Sequence, residues 1–170
     1  QRQMCIRDSC EHMVGELTKG FLSKRPLSKK QKSEMKANCP EISDEYLNRL
    51  QRAVPTISLP SFTALNTAFC NDVDPELVFA QPIMGLGQAG DMLIAISTSG
   101  NSKNVVAAAL TAKALGLKTI GLTGKTGGKL KSICDICICV SETETFKVQE
   151  LHLPVYHYLC AYAEKKLFTY

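Results

Sequence analysis

Apolar and polar positions change rhythm partway along the chain. In the second half, three short apolar runs, MLIAIS (92–97), KTIGLT (118–123) and DICICV (135–140), are separated by stretches with helical spacing. Runs that are apolar at nearly every position, not at every other one, belong to strands buried on both faces, as in parallel sheets. NSKNVVAAALTAKALG (101–116) reads as a helix stopped by its last glycine. GKTGGKLKSIC reads as a loop with a short helix, and residues 145–168 as a long closing helix despite Pro154. This alternation predicts an α/β fold: a three-layer sandwich, flavodoxin- or Rossmann-like, with a parallel sheet between helices. Right-handed crossovers bring the C-terminal strand ends to one edge, where such sheets bind ligands.

The first half is more broken. Residues 10–21 (CEHMVGELTKGF) read as a helix, with Met13, Leu17 and either Val14 or Phe21 as its apolar stripe; Arg25–Pro26 ends it. Residues 27–53 are polar and predict an exposed loop plus a short helix over Asp44–Leu50 capped by Ser43. VPTISLP (54–60) predicts a strand bounded by prolines. SFTALNTAFCND (61–72) and PELVFAQPIMGLG (75–87) predict helices, the second followed by a turn at Gly87, Gly90 and Asp91. With no repeat, low-complexity tract or linker, a single domain over residues 1–170 is expected.

Composition adds boundaries. A chain of 170 residues can bury one sizeable core. A net charge of +4 could draw an anionic metabolite but is thin support for nucleic-acid binding. There is no apolar run of 18 residues to span a membrane, nor the apolar core of a signal peptide at the start, so a cytoplasmic protein is expected. Of the eight cysteines, Cys134, Cys137 and Cys139 are spaced mainly by isoleucine, which favours a buried strand with structural thiols over a metal knuckle.

Two constellations carry candidate chemistry. STSGNS (97–102) lies between a strand and a helix. Ser97, Thr98, Ser99 and Ser102 offer hydroxyls, Gly100 permits close backbone approach, and Asn101 or Ser102 can cap the helix. The helix dipole adds positive potential, so the loop is a candidate phosphate seat; the alternative is a serine-rich cap without a ligand. The lysine of a nucleotide P-loop is missing. TGKTGG (123–128) ends the next strand at the same edge; Lys125 could add positive charge there, and a flexible turn is the equal alternative. The second constellation uses two of the three histidines. His12 and Glu16 share a helix face at i,i+4, and Gln149 and His157 lie about two turns apart on the closing helix. If those faces meet, they could hold a divalent metal such as zinc, or supply a general base (Glu16) and a proton donor (His157). A surface pair plus scattered histidines is the plainer alternative.

Taken together, GDMLIAISTSGNSKNVVAAALTAKALGLKTIGLTGKTGGKL, VQELHLPVYH, EHMVGELTKGF and AFCNDV resemble the phosphoheptose isomerases, members of the sugar isomerase (SIS) domain family, over roughly residues 10–168. The resemblance implies Ser97, Thr98, Ser99 and Ser102 on the sugar phosphate, Glu16 as base, His157 as acid, and Asn71 and Asp72 in a loop near the sugar. It also implies zinc on His12, Glu16, Gln149 and His157, and a homotetramer with shared active sites. The implied activity converts sedoheptulose 7-phosphate to glycero-manno-heptose 7-phosphate. Relatives that bind phosphosugars or a replication initiator without catalysis, and isomerases of other ketose phosphates, are the alternatives.

The sequence also departs from the family pattern. The family's Gly-rich loop and first core strand precede the His12 helix; here QRQMCIRDS stands in that place, so residues 1–9 are expected to be a truncated or non-native start that leaves a sheet neighbour missing. Ser9 replaces the family's Asp, and Phe146 stands where some members have an acidic residue.

Overall fold

The three apolar runs form the sheet that their composition predicts. In the computed structural model, which describes residues 2–168 and the side chains from residue 8 onward, β1 (Met92–Ser97), β2 (Lys118–Thr123) and β3 (Ile136–Cys139) pair in parallel in the order β1-β2-β3. Ala95 lies opposite Gly121 and Gly121 opposite Cys137, so the three strands end together at Ser97, Thr123 and Cys139. Burial deepens toward that edge: Met92 is exposed, whereas Ala95, Ile96 and Ser97 are buried.

Eight helices accompany the sheet among the described residues: α1 (Arg2–Thr18), α2 (Lys29–Asn38), α3 (Asp44–Arg49), α4 (Thr63–Asp72), α5 (Ala80–Leu86), α6 (Lys103–Ala114), α7 (Leu130–Ile133) and α8 (Thr145–Leu167). The chain divides into two compact units. One is Ser58–Val155 with the chain up to Glu11; the other is His12–Ile57 with the chain from Tyr156 onward.

The first unit holds the sheet. The α6 crossover packs on it through small side chains: Ala108, Ala109 and Ala112 are buried, Ala109 clustering with Ala95, Leu130 and Cys134. Ala108 and Ala112 cluster with Ile83 and Leu117. Alanine at these positions lets the helix backbone approach the strands closely. Gly121 serves the same end, because a Cβ there would sit 3.2 Å from the Cys137 sulfur and 3.3 Å from that of Cys134. The cysteines of ICDICICV are thus packing groups of the strand, as their isoleucine spacers predict.

The second unit is organised by a buried ion pair. Arg25 is fully buried, and its Nε and Nη2 both lie 2.7 Å from Glu164 Oε2. Arg25 Nη1 also donates to the Leu17 carbonyl. The Glu164 carboxylate accepts the backbone N–H groups of Phe21, Leu22 and Ser23 at 2.7–3.0 Å. Burial pushes the Glu164 carboxyl up, but these amides and Arg25 together outweigh it and hold the group below the usual carboxylate range.

α1, the VPTISLP segment and the chain between them differ from expectation. α1 ends at Thr18 rather than Phe21, because the amides of residues 21–23 serve Glu164 instead of a helix. It starts at Arg2 rather than Cys10, so residues 2–9 continue the helix backbone; Gln1 and the side chains of residues 1–7 lie outside the described residues. VPTISLP is not a strand: Pro55 and Pro60 lack the N–H a ladder needs, and the segment runs extended into a 3-10 turn over Leu59–Ser61. Finally, α2 replaces part of the expected loop. It buries no residue and stands on a capping box in which Ser28 and Gln31 bond each other's backbone N–H.

Candidate active site

The STSGNS loop follows β1 directly. Ser97 is fully buried and its Oγ lies 3.0 Å from Ser102 Oγ. Ser102 stands at the N-cap of α6 but makes no side-chain capping bond, since its hydroxyl is turned to Ser97. Gly100 has φ +67° and donates its N–H to the Ser97 carbonyl, closing a tight turn. A Cβ there would fall 2.0 Å from the Gly127 carbonyl oxygen, so only glycine fits.

The TGKTGG loop at the end of β2 is bonded to this turn. Gly124 N–H donates to Thr98 O, Leu130 N–H to Gly100 O, and Lys129 N–H to Asn101 Oδ1. Two loops from adjacent strand ends therefore brace one another at the start of a twelve-residue helix. Thr98 is half-buried and Ser99 exposed, so their hydroxyls are offered at a helix N-terminus, which suits an anion.

The second unit contains the other candidate chemistry. His12 and Glu16, one turn apart on α1, place His12 Nε2 3.3 Å from Glu16 Oε1. Glu16 Oε2 accepts from Lys19 Nζ at 3.0 Å. Lys19 is the main reason the Glu16 carboxyl is held below its usual range, with His12 adding to it. Glu16 is therefore ionised at neutral pH, the state a base requires. The ring of His157 stands edge-on to that of His12, centroids 5.0 Å apart, and Phe21 lies 5.6 Å away. Of the four residues whose faces were expected to meet, His12 thus lies against both Glu16 and His157. His157 Nε2 is buried with no hydrogen-bond partner in the structure. Cys160 is also near Glu16; burial first, then the Glu16 charge, pushes its thiol up to about 11.

Gln149 is half-buried on α8 in the first unit, and its Nε2 too lacks a partner. Asn71 and Asp72 form the exposed last turn of α4 rather than a loop. His152, which periodicity did not single out, is 1% exposed; burial lowers its pKa, opposed by a bond to the backbone of Thr123.

The zinc expectation is not met. Among the described residues, no group of three or more His, Cys, Asp or Glu side chains is placed to hold a metal ion. The donors of His12 and Glu16 are already engaged: His12 Nδ1 with Tyr156, Nε2 with Glu16, and the far carboxylate oxygen with the Lys19 ammonium. The Lys19 ammonium already stands against Glu16 at 3.0 Å. Sequence reasoning missed Lys19, although its i,i+3 spacing from Glu16 was legible. It also missed Tyr156, for which no local signal exists.

Comparison with known proteins follows the same pattern. The SIS domain family model matches residues 36–124. The phosphoheptose isomerase of a Nitratiruptor species is 45% identical over 128 residues, covering 74% of this chain and 68% of that protein. That of Crocosphaera subtropica is 39% identical over 162 residues, covering 94% of this chain and 83% of the relative. The chain belongs to the phosphoheptose isomerase family. Among solved phosphoheptose isomerases, the structure from Neisseria gonorrhoeae superposes with a TM-score of 0.71 at 28% identity, over 95% of this chain and 72% of that one. The Francisella tularensis phosphoheptose isomerase is 35% identical with a TM-score of 0.61, over 63% and 60% of the respective chains. The parallel sheet flanked by helices is the architecture these relatives share.

Proposed function

We propose that this chain interconverts sedoheptulose 7-phosphate and D-glycero-D-manno-heptose 7-phosphate through an enediol. Membership of the phosphoheptose isomerase family supports isomerisation of a phosphorylated heptose. The observation that carries the residue assignment is the His12–Glu16–His157 cluster: an ionised carboxylate pairs with His12, whose ring lies 5.0 Å from that of His157, and His157 Nε2 is buried without a partner. A buried polar atom left unpaired in the protein calls for a partner, and a bound substrate can supply one.

In this reading Glu16 removes a proton from C1 of the ketose. His157 gives a proton to the carbonyl oxygen at C2, forming the 1,2-enediol. Return of the carbon proton to C2, with loss of one from O1, yields the aldehyde. Ser97, Thr98, Ser99 and Ser102, with the first amides of α6, hold the phosphate and supply orientation remote from the reacting carbons. Gln149, Asn71 and Asp72 are assigned to the sugar hydroxyls.

Proton exchange at C1 in labelled water measures the first step. Glu16→Gln is expected to lower it by roughly 10²–10⁴-fold, the scale of general-base catalysis, while phosphosugar binding persists. Loss of binding together with exchange would argue against the base assignment.

A cytoplasmic homotetramer belongs to the same proposal. Exposed apolar side chains such as Tyr158, Tyr162 and Leu110 support burial against further copies. Among the described residues, no helix is long and apolar enough to cross a membrane. Sedimentation as a single 18.6 kDa chain would overturn the tetramer.

A further inference from the structure

Among the described residues β3 is an edge strand, bonded to β2 alone, and alternation puts Cys137 and Cys139 on one of its faces. Residues two apart on a strand have Cα atoms about 6.6 Å apart, yet these two sulfurs stand only 3.7 Å from each other. Both lean over the hydroxyl of Thr123, which lies 3.4 Å from Cys139 Sγ and 3.7 Å from Cys137 Sγ. Thr123 is fully buried, whereas both cysteines are free and half-buried. On its other side Cys139 meets the phosphate seat. A Cβ on Gly127 would fall 3.1 Å from Cys139 Sγ, and the Gly127 carbonyl is the group that excludes a side chain at Gly100.

The sulfur spacing decides what such a pair can hold. A direct disulfide needs the sulfurs at about 2.05 Å, and a Cα separation of about 6.6 Å is at the far end of what disulfides span. A single bridging atom fits without backbone movement: bonds of about 2.3 Å, the length thiolates make to tetrahedral zinc, place two sulfurs roughly 3.5–3.8 Å apart. Burial pushes the Cys137 thiol up; the Thr123 hydroxyl opposes this and Cys139 adds to it. Cys137 therefore keeps its proton at neutral pH. That suits a ligand that condenses with thiols better than a cation that needs thiolates.

We propose that Cys137 and Cys139 form a dithiol binding site for trivalent arsenicals, and that its occupation weakens the neighbouring phosphate seat. With an arsine oxide, R–As=O, two As–S bonds replace the arsenic–oxygen bond. Both thiol protons leave with the oxygen as one water, and arsenic stays trivalent, so no oxidant or reductant is required. The bridged arsenic and its substituent then crowd Cys139 against Gly127, whose N–H bonds the Gly124 carbonyl and whose own carbonyl backs the Gly100 turn. This second part rests on the reading of the STSGNS loop as a phosphate seat.

Phenylarsine oxide added to the full chain tests the site. Intact mass is expected to show one adduct per chain that survives excess 2-mercaptoethanol and is released by 1,2-ethanedithiol. Iodoacetamide followed by peptide fragmentation should find Cys137 and Cys139 spared and the exposed Cys39 alkylated. Alkylation of Cys137 or Cys139 in the treated wild-type chain overturns the site, and this reading needs no variant. Cys137→Ser and Cys139→Ser should each lose the monothiol-resistant adduct; its retention in either overturns the site as well. Titration calorimetry with sedoheptulose 7-phosphate reads the coupling. Affinity is expected to fall by about twofold to tenfold in the arsenical-bound chain, the worth of one net hydrogen bond. Equal affinity before and after treatment overturns the coupling. An untreated chain that binds no sugar phosphate defeats the seat and the coupling together, while capture by the dithiol is read from the mass alone.

Discussion

The second unit depends on a few charged residues placed where water cannot reach. Arg25 and Glu164 are both buried, and Glu164 also gathers three backbone amides from the turn after α1. Phe21, whose ring lies against His157, is in that turn, so the pair connects stability to the candidate site. Glu164→Gln would keep the shape and leave the Arg25 guanidinium without a counter-charge. Breaking a buried pair from one side costs about 3 kcal/mol or more. For a chain of this size, a melting temperature lower by roughly 6–12 °C is expected by calorimetry. A change within a degree would show that the amide bonds, not the charge, matter there.

At the scale of elements, the phosphate seat is a property of two loops rather than of one. The β1–α6 turn is held by bonds from Gly124, Lys129 and Leu130, and Gly100 sits where any side chain would strike the Gly127 carbonyl. Gly100→Ala therefore meets both a left-handed φ and a backbone clash. Sugar-phosphate affinity, read by titration calorimetry, is expected to fall by at least about tenfold, in line with the strain of a few kcal/mol that such a residue stores. Wild-type affinity in the variant would mean that the seat does not require this turn. The same scale explains what the sequence reading missed. α2 buries no side chain, so it has no apolar stripe to betray it; its only advance notice was the Ser28–Gln31 capping box. VPTISLP has strand-like residues, but its prolines remove the ladder donors.

For the whole molecule, acid sensitivity follows from His152 and Glu164. Burial keeps His152 neutral in the folded chain, with its pKa below the ordinary value. The unfolded chain takes up that proton first, so stability is full above about pH 6.5 and declines as pH falls below it. Glu164, also lowered, adds a second loss below about pH 4.3, as the carboxylate is protonated more readily in the unfolded chain. Urea midpoints measured across pH 4–8 should fall on the acid side, and His152→Gln should flatten the portion between about pH 6.5 and 5. An unchanged slope in that variant would assign the effect to other groups.

The three strands, the crossover helix and the hydroxyl loop were legible in the amino-acid order, because each depends on neighbours a few positions away: apolar runs, a stopping glycine and a cluster of serines beside a helix start. The His12–Glu16 pairing was legible for the same reason, helical spacing being a local property. Only the tertiary structure decided which groups met them. Tyr156 reaches His12 across 144 positions, His157 turns its ring edge toward it, and Glu164 closes on the amides after α1 from nearly as far. Tyr156 engages His12 Nδ1, whereas His12 Nε2 and the Glu16 carboxylate are taken up locally by each other and by Lys19, and no group of three metal donors assembles among the described residues. Local spacing determines which side chains share a face; long-range packing determines what that face is pressed against, and hence which proton each group carries.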